Sequence, residues 1–329
     1  MHGQETIVRY LQDAEAAERN FEDALQSFSK MGDQTFVQKA LAEMSRKAGT
    51  QHERLLARLH ALGAEASSGK SALAHALAFA PTVAQLGQTE GEKNTRHLMI
   101  AIAAAAAETA MYEALAVAAG AEGDRETEQL ARQLQEEELQ DYRDAAALLS
   151  QSALDSYQRA DGSSVDSIKS YLEDAIAAEK SFETQLRDFA KEGSSNQIHA
   201  LFLEHADETR VQYERLTQRL KELGGDPSVA KSFIAHLVGF APKLGQLGHD
   251  VMDRRTQNLI IAFGVENCEV AMYEALIAVA ESEGDRPTSD LAREIQAQEH
   301  ATATKIWQHL SPTALSAFNK MAGQEQLAR

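Results

Sequence analysis

An all-α protein built as two tandem four-helix bundles is what this 329-residue sequence predicts, and three observations carry the prediction. Ala, Leu, Glu and Gln are abundant while the chain holds only five Pro and 6% aromatic residues, a composition that favours helix over strand. A shift of 161 residues lays the chain on itself without a gap: "AMYEAL" at Ala110 falls on "AMYEAL" at Ala271. The same shift pairs "FAP" at Phe79 with Phe240, "ERL" at Glu53 with Glu214, "EGDR" at Glu122 with Glu283, and "YLQDAEAAE" at Tyr10 with "YLEDAIAAE" at Tyr171. Finally, apolar residues recur at the i, i+4, i+7 spacing of one helical face through most of the chain.

A repeat this large means duplicated globular domains, because stacked solenoid units are far shorter. The boundary is expected in "ADGSS", Ala160 to Ser164, giving one domain over 1–160 and a second over 165–329. In the second copy, helix 1 is predicted from about Ser167 to Lys191, stopped by "EGSS", and helix 2 from about Asn196 to Leu223, ended by Gly224-Gly225. Helix 3 runs from about Asp250 to Glu283, stopped by "GDRP", and helix 4 from about Thr288 to Leu310. Short loops make helices 1 and 2, and helices 3 and 4, antiparallel hairpins. Between the hairpins lies a long connection holding one short helix, "AKSFIAHLVGFAP", and a long crossover at that place is the ferritin-like form of the bundle. A short C-terminal helix, "PTALSAFNKM", follows helix 4 and matches "QSALDSYQRA" in the first copy.

Charge narrows the function. Fifty acidic against 32 basic side chains leave a net charge of −18 with no basic cluster, which argues against nucleic acid and anionic membranes as partners. Cys268 is the only cysteine, so no internal disulfide framework exists and a reducing, cytoplasmic location is expected. The N-terminal "MHGQETIVRYLQDAE" lacks a signal-peptide core. The most apolar run, Leu98 to Ala107, stops at Glu108, short of the roughly 20 residues that span a bilayer.

The stripes themselves carry the chemistry. On helix 2 the face reads Leu201, His205, Glu208, Gln212, Leu216, Leu220, apolar at its ends and polar in its middle. Helix 1 places Glu179 among Leu172, Ala175, Phe182 and Leu186. Helix 3 places Glu266 and Glu269 between Ala262 and Leu276, with Tyr273 on the same face, and helix 4 places Glu299 (or Gln298) between Ile295 and Ile306. Five carboxylates and an imidazole cannot share a dry core as bare charges. Two multivalent cations bridged by those carboxylates resolve the conflict, and hard oxygen donors with one imidazole favour iron or manganese. Gln212 reads as a hydrogen-bond donor behind the ligands, Tyr273 as core with its hydroxyl satisfied, and Cys268 as a small buried apolar residue facing a neighbour. His75 and His236 fall on the crossover helices, and His300 lies off the face of Glu299.

The motifs "DAIAAEKSF", "HADETRVQYERL", "VENCEVAMYEAL" and "EIQAQEHAT" resemble the YciF/YciE-type ferritin-like stress-response proteins of bacteria, over nearly the whole chain as two copies. That resemblance implies a rubrerythrin-like bundle with a di-iron centre, held here by Glu179, His205 or Glu208, Glu266, Glu269 and Glu299, and bundles that pair. Asn267 and Gln298 depart from the family pattern, in which a histidine and an acid are common, and both bear on ligand number and redox tuning. In the first copy Glu18, Glu108 and Glu138 are retained, but Met44, Lys47 and Ala105 stand where the second has His205, Glu208 and Glu266. Lys47 is expected to neutralise the remaining acids in a metal-free structural half.

Two function classes follow. One is a di-iron or di-manganese redox protein with two metal ions in the C-terminal half, oxidase- or peroxidase-like, acting on a small oxidant such as oxygen or peroxide. The other is a non-enzymatic stress protein whose metal is structural and which works through partner binding. In either case the two halves are expected to pack as an intramolecular pseudo-dimer, with "SALAHALAFAP" and "AKSFIAHLVGFAP" as the contact, and a higher oligomer is open to it.

Overall fold

A computed structural model of the chain describes residues 2–66, 90–159, 164–191, 196–226 and 251–327. The described residues form eight α-helices and no strand: α1 (His2–Phe28), α2 (Thr35–Ala61), α3 (Glu90–Glu122), α4 (Arg125–Arg159), α5 (Ser164–Lys191), α6 (Asn196–Glu222), α7 (Val251–Ser282) and α8 (Arg286–Leu327). The chain is thus all-helical and tandem, with α1–α4 in one half and α5–α8 in the other. The segments in which crossover helices are expected, with His75 and His236, lie outside the described residues.

Within each half the closest neighbours are the hairpin partners, α1 with α2, α3 with α4, α5 with α6, and α7 with α8. The turn between α3 and α4 explains why "EGDR" is repeated. Gly123 closes α3 at φ +83° and Gly284 closes α7 at φ +73°, a left-handed backbone that a side chain would strain. The next residue caps the following helix: Thr127 N–H donates to Asp124 Oδ1 at 3.1 Å, and Thr288 N–H to Asp285 Oδ1 at 3.2 Å. Arg58 and Arg219 reach over from the second helix of each hairpin to those aspartates, at 2.6 and 2.7 Å. Four residues therefore stop one helix, start the next and fasten both to a third.

The fourth helix of each half is longer than its sequence pattern suggests. "PTALSAFNKM" continues α8 across Pro312, and "QSALDSYQRA" continues α4, so the expected separate C-terminal helix does not exist. Pro312 removes one helical hydrogen bond. However, Leu310, Ala314, Ala317 and Phe318 stay in phase across it and are all buried, which outweighs that loss.

α3 and α7 are apolar on nearly every side because each is packed both in its own half and against the other. The stretch Glu92–Glu122 is long and apolar enough to cross a membrane, but its most apolar 18-residue window is 89% buried inside the protein, as in a core helix. α7 packs on α3 and α4, and α8 packs on α3 and α1. The contacts recur with the halves exchanged: Ser150 donates to Glu274 Oε1 at 2.6 Å, and Ser311, 161 positions on, donates to Glu113 Oε1 at 2.7 Å. Arg96 and Asp174 join α3 to α5 in a buried setting.

His97, at the base of α3, stacks on Phe28 with ring centroids 4.2 Å apart and neither nitrogen partnered. Burial, with Lys93 nearby, pushes its pKa down to about 4 from 6.5. The unfolded chain therefore takes up a proton first as pH falls. Stability is full above 6.5 and declines through about 4, by about 3 kcal/mol in all. Urea midpoints of the chain and of a His97→Phe variant should diverge over that interval and run parallel above it; parallel curves throughout would contradict a buried neutral imidazole.

Candidate metal centre

The apolar register of α5–α8 carries Glu179, His205, Glu266, Glu269 and Glu299 inward, and all five are buried. His205 Nε2 lies 2.6 Å from Glu266 Oε1, although neither ring nitrogen makes an aligned hydrogen bond. One donor atom each from His205, Glu266 and Glu299 fall within 4.8 Å of one another. Gln212 Nε2 donates to Glu299 Oε1 at 2.7 Å, the role its spacing predicts. Tyr273 is buried, as expected for core, and its hydroxyl donates to Glu179 Oε1. That bond was legible in outline, since "AMYEAL" sets a tyrosine four residues after Glu269 as it does after Glu108.

Glu208 stands apart. Its side chain is 43% exposed at the edge of α6 and its carboxylate is 3.8 Å from His205 Nδ1. The imidazole holds the Glu208 carboxyl below its ordinary range. A cavity of about 380 Å³ opens there, lined by Glu204, Asp207, Glu208, Val211 and Gln298. Of its lining residues, Glu208 and Gln298 are one contact from His205 and Gln212, respectively.

The electrostatics of the interior are those of a site short of positive charge. Burial pushes Glu179 up to about 8, against Tyr273 and His205, which pull it down. Burial also lifts Glu269 and Glu299 well above the carboxylate range, and the neighbouring glutamates lift them further. For His205 burial acts downward, but Glu266 and Glu208 outweigh it and raise the imidazole to about 9. Six carboxylate oxygens, both of Glu266, both of Glu269 and one each of Glu179 and Glu299, have no hydrogen-bond partner. Buried acceptors in that number are costly unless something else binds them. The donor set therefore fits a cation, with His205, Glu266 and Glu299 nearest one another and Glu179 and Glu269 in reserve. Cys268, beside Glu269, is buried, and burial pushes its thiol up to about 12, so it is a packing residue.

The first half corrects one expectation. Lys47 does not reach the retained acids. It donates to Asp141 on α4, with its own side chain 32% exposed. The reason is positional: Lys47 and Glu208 occupy the same point of the repeat, and that point is the rim of the bundle. Asp141, at the place of Thr302, was not singled out by the sequence pattern. Glu18, Glu108 and Glu138 remain together in the interior with donor atoms within 4.8 Å of one another. Tyr112 donates to Glu18 as Tyr273 does to Glu179.

Comparison with known proteins agrees with the repeat. The model of the DUF892 family, a domain of unknown function, matches residues 3–158 and again residues 167–319. The chain belongs to this family, twice over. It is similar to Protein YciF of Escherichia coli strain K12, with 26% identity over 154 residues that make up 46% of this chain and 90% of that protein. It is also similar to the solved structure of YcfI from Rhodopseudomonas palustris, 27% identical, covering 45% of this chain and 95% of that one with a TM-score of 0.42. Each relative spans about half of this chain, the length of one copy of the repeat.

Proposed function

We propose that the chain is a ferritin-like di-iron carboxylate protein, with manganese as the alternative metal, which handles a small oxidant such as oxygen or peroxide in a stress response. The observation that carries this reading is the set of six carboxylate oxygens without a hydrogen bond, one of them facing His205 Nε2, in the interior of α5–α8. Glu179, His205, Glu266, Glu269 and Glu299 would hold the metals, and Glu208, half exposed at the rim 3.8 Å from His205 Nδ1, would be a further donor. A pair of ferrous ions held by these residues would supply two electrons for the reduction of a small oxidant.

The chain's own residues do the rest. Gln212 fixes Glu299 through its amide, so that one oxygen stays free to bind. Tyr273 holds Glu179 Oε1 and keeps a proton at its hydroxyl, because burial and the surrounding acids raise its pKa well above the usual value. His205 loses its proton to become a ligand, so loading releases protons and strengthens as pH rises. The acid-lined cavity at Glu208 attracts cations to the rim beside His205. The two halves, related by their reciprocal serine–glutamate bonds, act as an intramolecular pseudo-dimer.

Loading with Fe2+ under nitrogen followed by oxygen or peroxide tests the reading. The full-length chain is expected to oxidise its iron faster than free Fe2+ in the same buffer, with ferric absorbance retained on the protein. His205→Gln with Glu266→Gln should remove both retention and acceleration. Retained iron that oxidises no faster than free iron would leave the structural-metal alternative instead.

A further inference from the structure

We propose that the first half carries a cation site of its own, in which Glu18, Glu108 and Glu138 hold one hard divalent cation through oxygen atoms alone. The three glutamates come from α1, α3 and α4, are buried to 1% exposure or less, and offer donor atoms within 4.8 Å of one another. Two oxygens bound to one ion at about 2.2 Å each stand at most about 4.4 Å apart, so shifts of a few tenths of an ångström complete the site.

Closeness of acids is not the whole case. Neither oxygen of Glu108 or of Glu138 makes an aligned hydrogen bond, although the two carboxyls lie against each other and Gln51 approaches Glu138, and Glu18 presents Oε2 while Tyr112 holds its other oxygen. Gln51, 1% exposed on α2, adds a buried amide oxygen that also lacks a partner. The cations that might have served are committed elsewhere: Lys47 to Asp141, Arg54 to Glu137, and Arg19 to Glu15. Among the described residues no lysine, arginine or histidine pairs with the three acids. What remains to balance them is protons or a metal ion.

The chemistry of the donors sets the kind of ion. Met44 occupies the position of His205, so no imidazole is present, and Ala105 occupies that of Glu266, so one carboxylate fewer is available. Three carboxylates balance one divalent ion and leave two over-compensated. An all-oxygen set favours Mn2+ or Mg2+, while the imidazole of the second half favours metals that accept nitrogen. The two halves then hold chemically different metals in one scaffold.

The test uses the full-length chain carrying Glu266→Gln and Glu299→Gln, which removes two of the three closest donors of the second half at nearly constant shape. Dialysed against Mn2+ and freed of excess, it is expected to keep about one ion per chain, with a pulsed electron paramagnetic resonance spectrum free of nitrogen coupling. Adding Glu108→Gln should lower retention to that of a protein-free blank. A chain with Glu266→Gln and Glu299→Gln that folds and keeps no Mn2+ would overturn the proposal and show a cluster held by protons. Retention unchanged by Glu108→Gln and by Glu138→Gln would overturn it as well. Should the stripped chain fail to fold, Glu108→Gln in the otherwise unaltered chain must remove a nitrogen-free Mn2+ signal, or the proposal fails. The second half is judged apart, by the nitrogen-coupled signal of the unaltered chain. Absence of that signal beside a retained nitrogen-free ion would sink the reading of the second half and leave this one standing.

Discussion

Replacing Glu269 by leucine is expected to raise the melting temperature of the chain in chelator and to abolish the rise that added Fe2+ or Mn2+ gives the unaltered chain. Ordinary core substitutions destabilise under all conditions. Glu269 is different because it is fully buried with both oxygens unpartnered, so its removal breaks no hydrogen bond. Without metal its carboxyl stays in place only as a protonated or repelled group, the field of Glu179 and Glu266 adding to the effect of burial. Exchange of such a group for an apolar one of similar size commonly stabilises by about 1–4 kcal/mol. With metal the sign reverses. A ligand present at about 1,000 times its dissociation constant stabilises the folded form by about 4 kcal/mol, or roughly 8–16 °C for a bundle of this size. Scanning calorimetry of both chains, with chelator and with metal, reads the crossing directly. A Glu269→Leu chain that melts lower than the unaltered one in chelator, or that keeps the metal-induced rise, would show that Glu269 is structural rather than a ligand.

Much of this is legible in the sequence, and the reasons differ from residue to residue. The duplication and the helical class come from periodicity and the gapless shift, and both are properties of the chain itself. Glu179, Glu266 and Glu299 stand inside because apolar neighbours three and four positions away fix their direction. Glu208 shares that stripe on paper but sits at its margin, where a few tens of degrees of rotation decide between interior and rim. Lys47 follows it for the same reason, and its partner Asp141 on α4 is a tertiary fact that no spacing within α2 contains. Pro312 looks like a terminator, yet the buried stripe Leu310–Phe318 carries the helix through it. The long core helices α3 and α7 gave the weakest face signal, because a helix buried on both sides has no polar face to define its register.

That double burial makes Gly264 a helix-interior position where a side chain is costly. Glycine inside a helix is normally a liability, and its exchange for alanine gains up to about 1 kcal/mol. Gly49 in α2 should follow this rule: an added Cβ would meet only Glu22 Oε1, at 2.8 Å, the end of a flexible and partly exposed side chain that can swing away. At Gly264 the added Cβ would meet Ala107 Cβ at 3.0 Å and the Ala103 carbonyl oxygen at 3.1 Å. Both belong to α3 of the other half, and a helix locked between two bundles cannot move by tenths of an ångström without shifting its whole length. Gly264→Ala is therefore expected to lower stability by about 1–3 kcal/mol despite its better helix propensity. Gly264→Leu should go further and force α7 off α3, breaking the Ser150–Glu274 and Ser311–Glu113 bonds together. Trp307, the only tryptophan, packs on Phe263 with ring centroids 5.1 Å apart, so its emission reports the neighbourhood of this crossing. Denaturant unfolding should rank Gly49→Ala above the unaltered chain, Gly264→Ala below it and Gly264→Leu lowest, with red-shifted Trp307 emission in the last. A Gly264→Ala chain as stable as Gly49→Ala would mean that the halves do not meet at this close crossing.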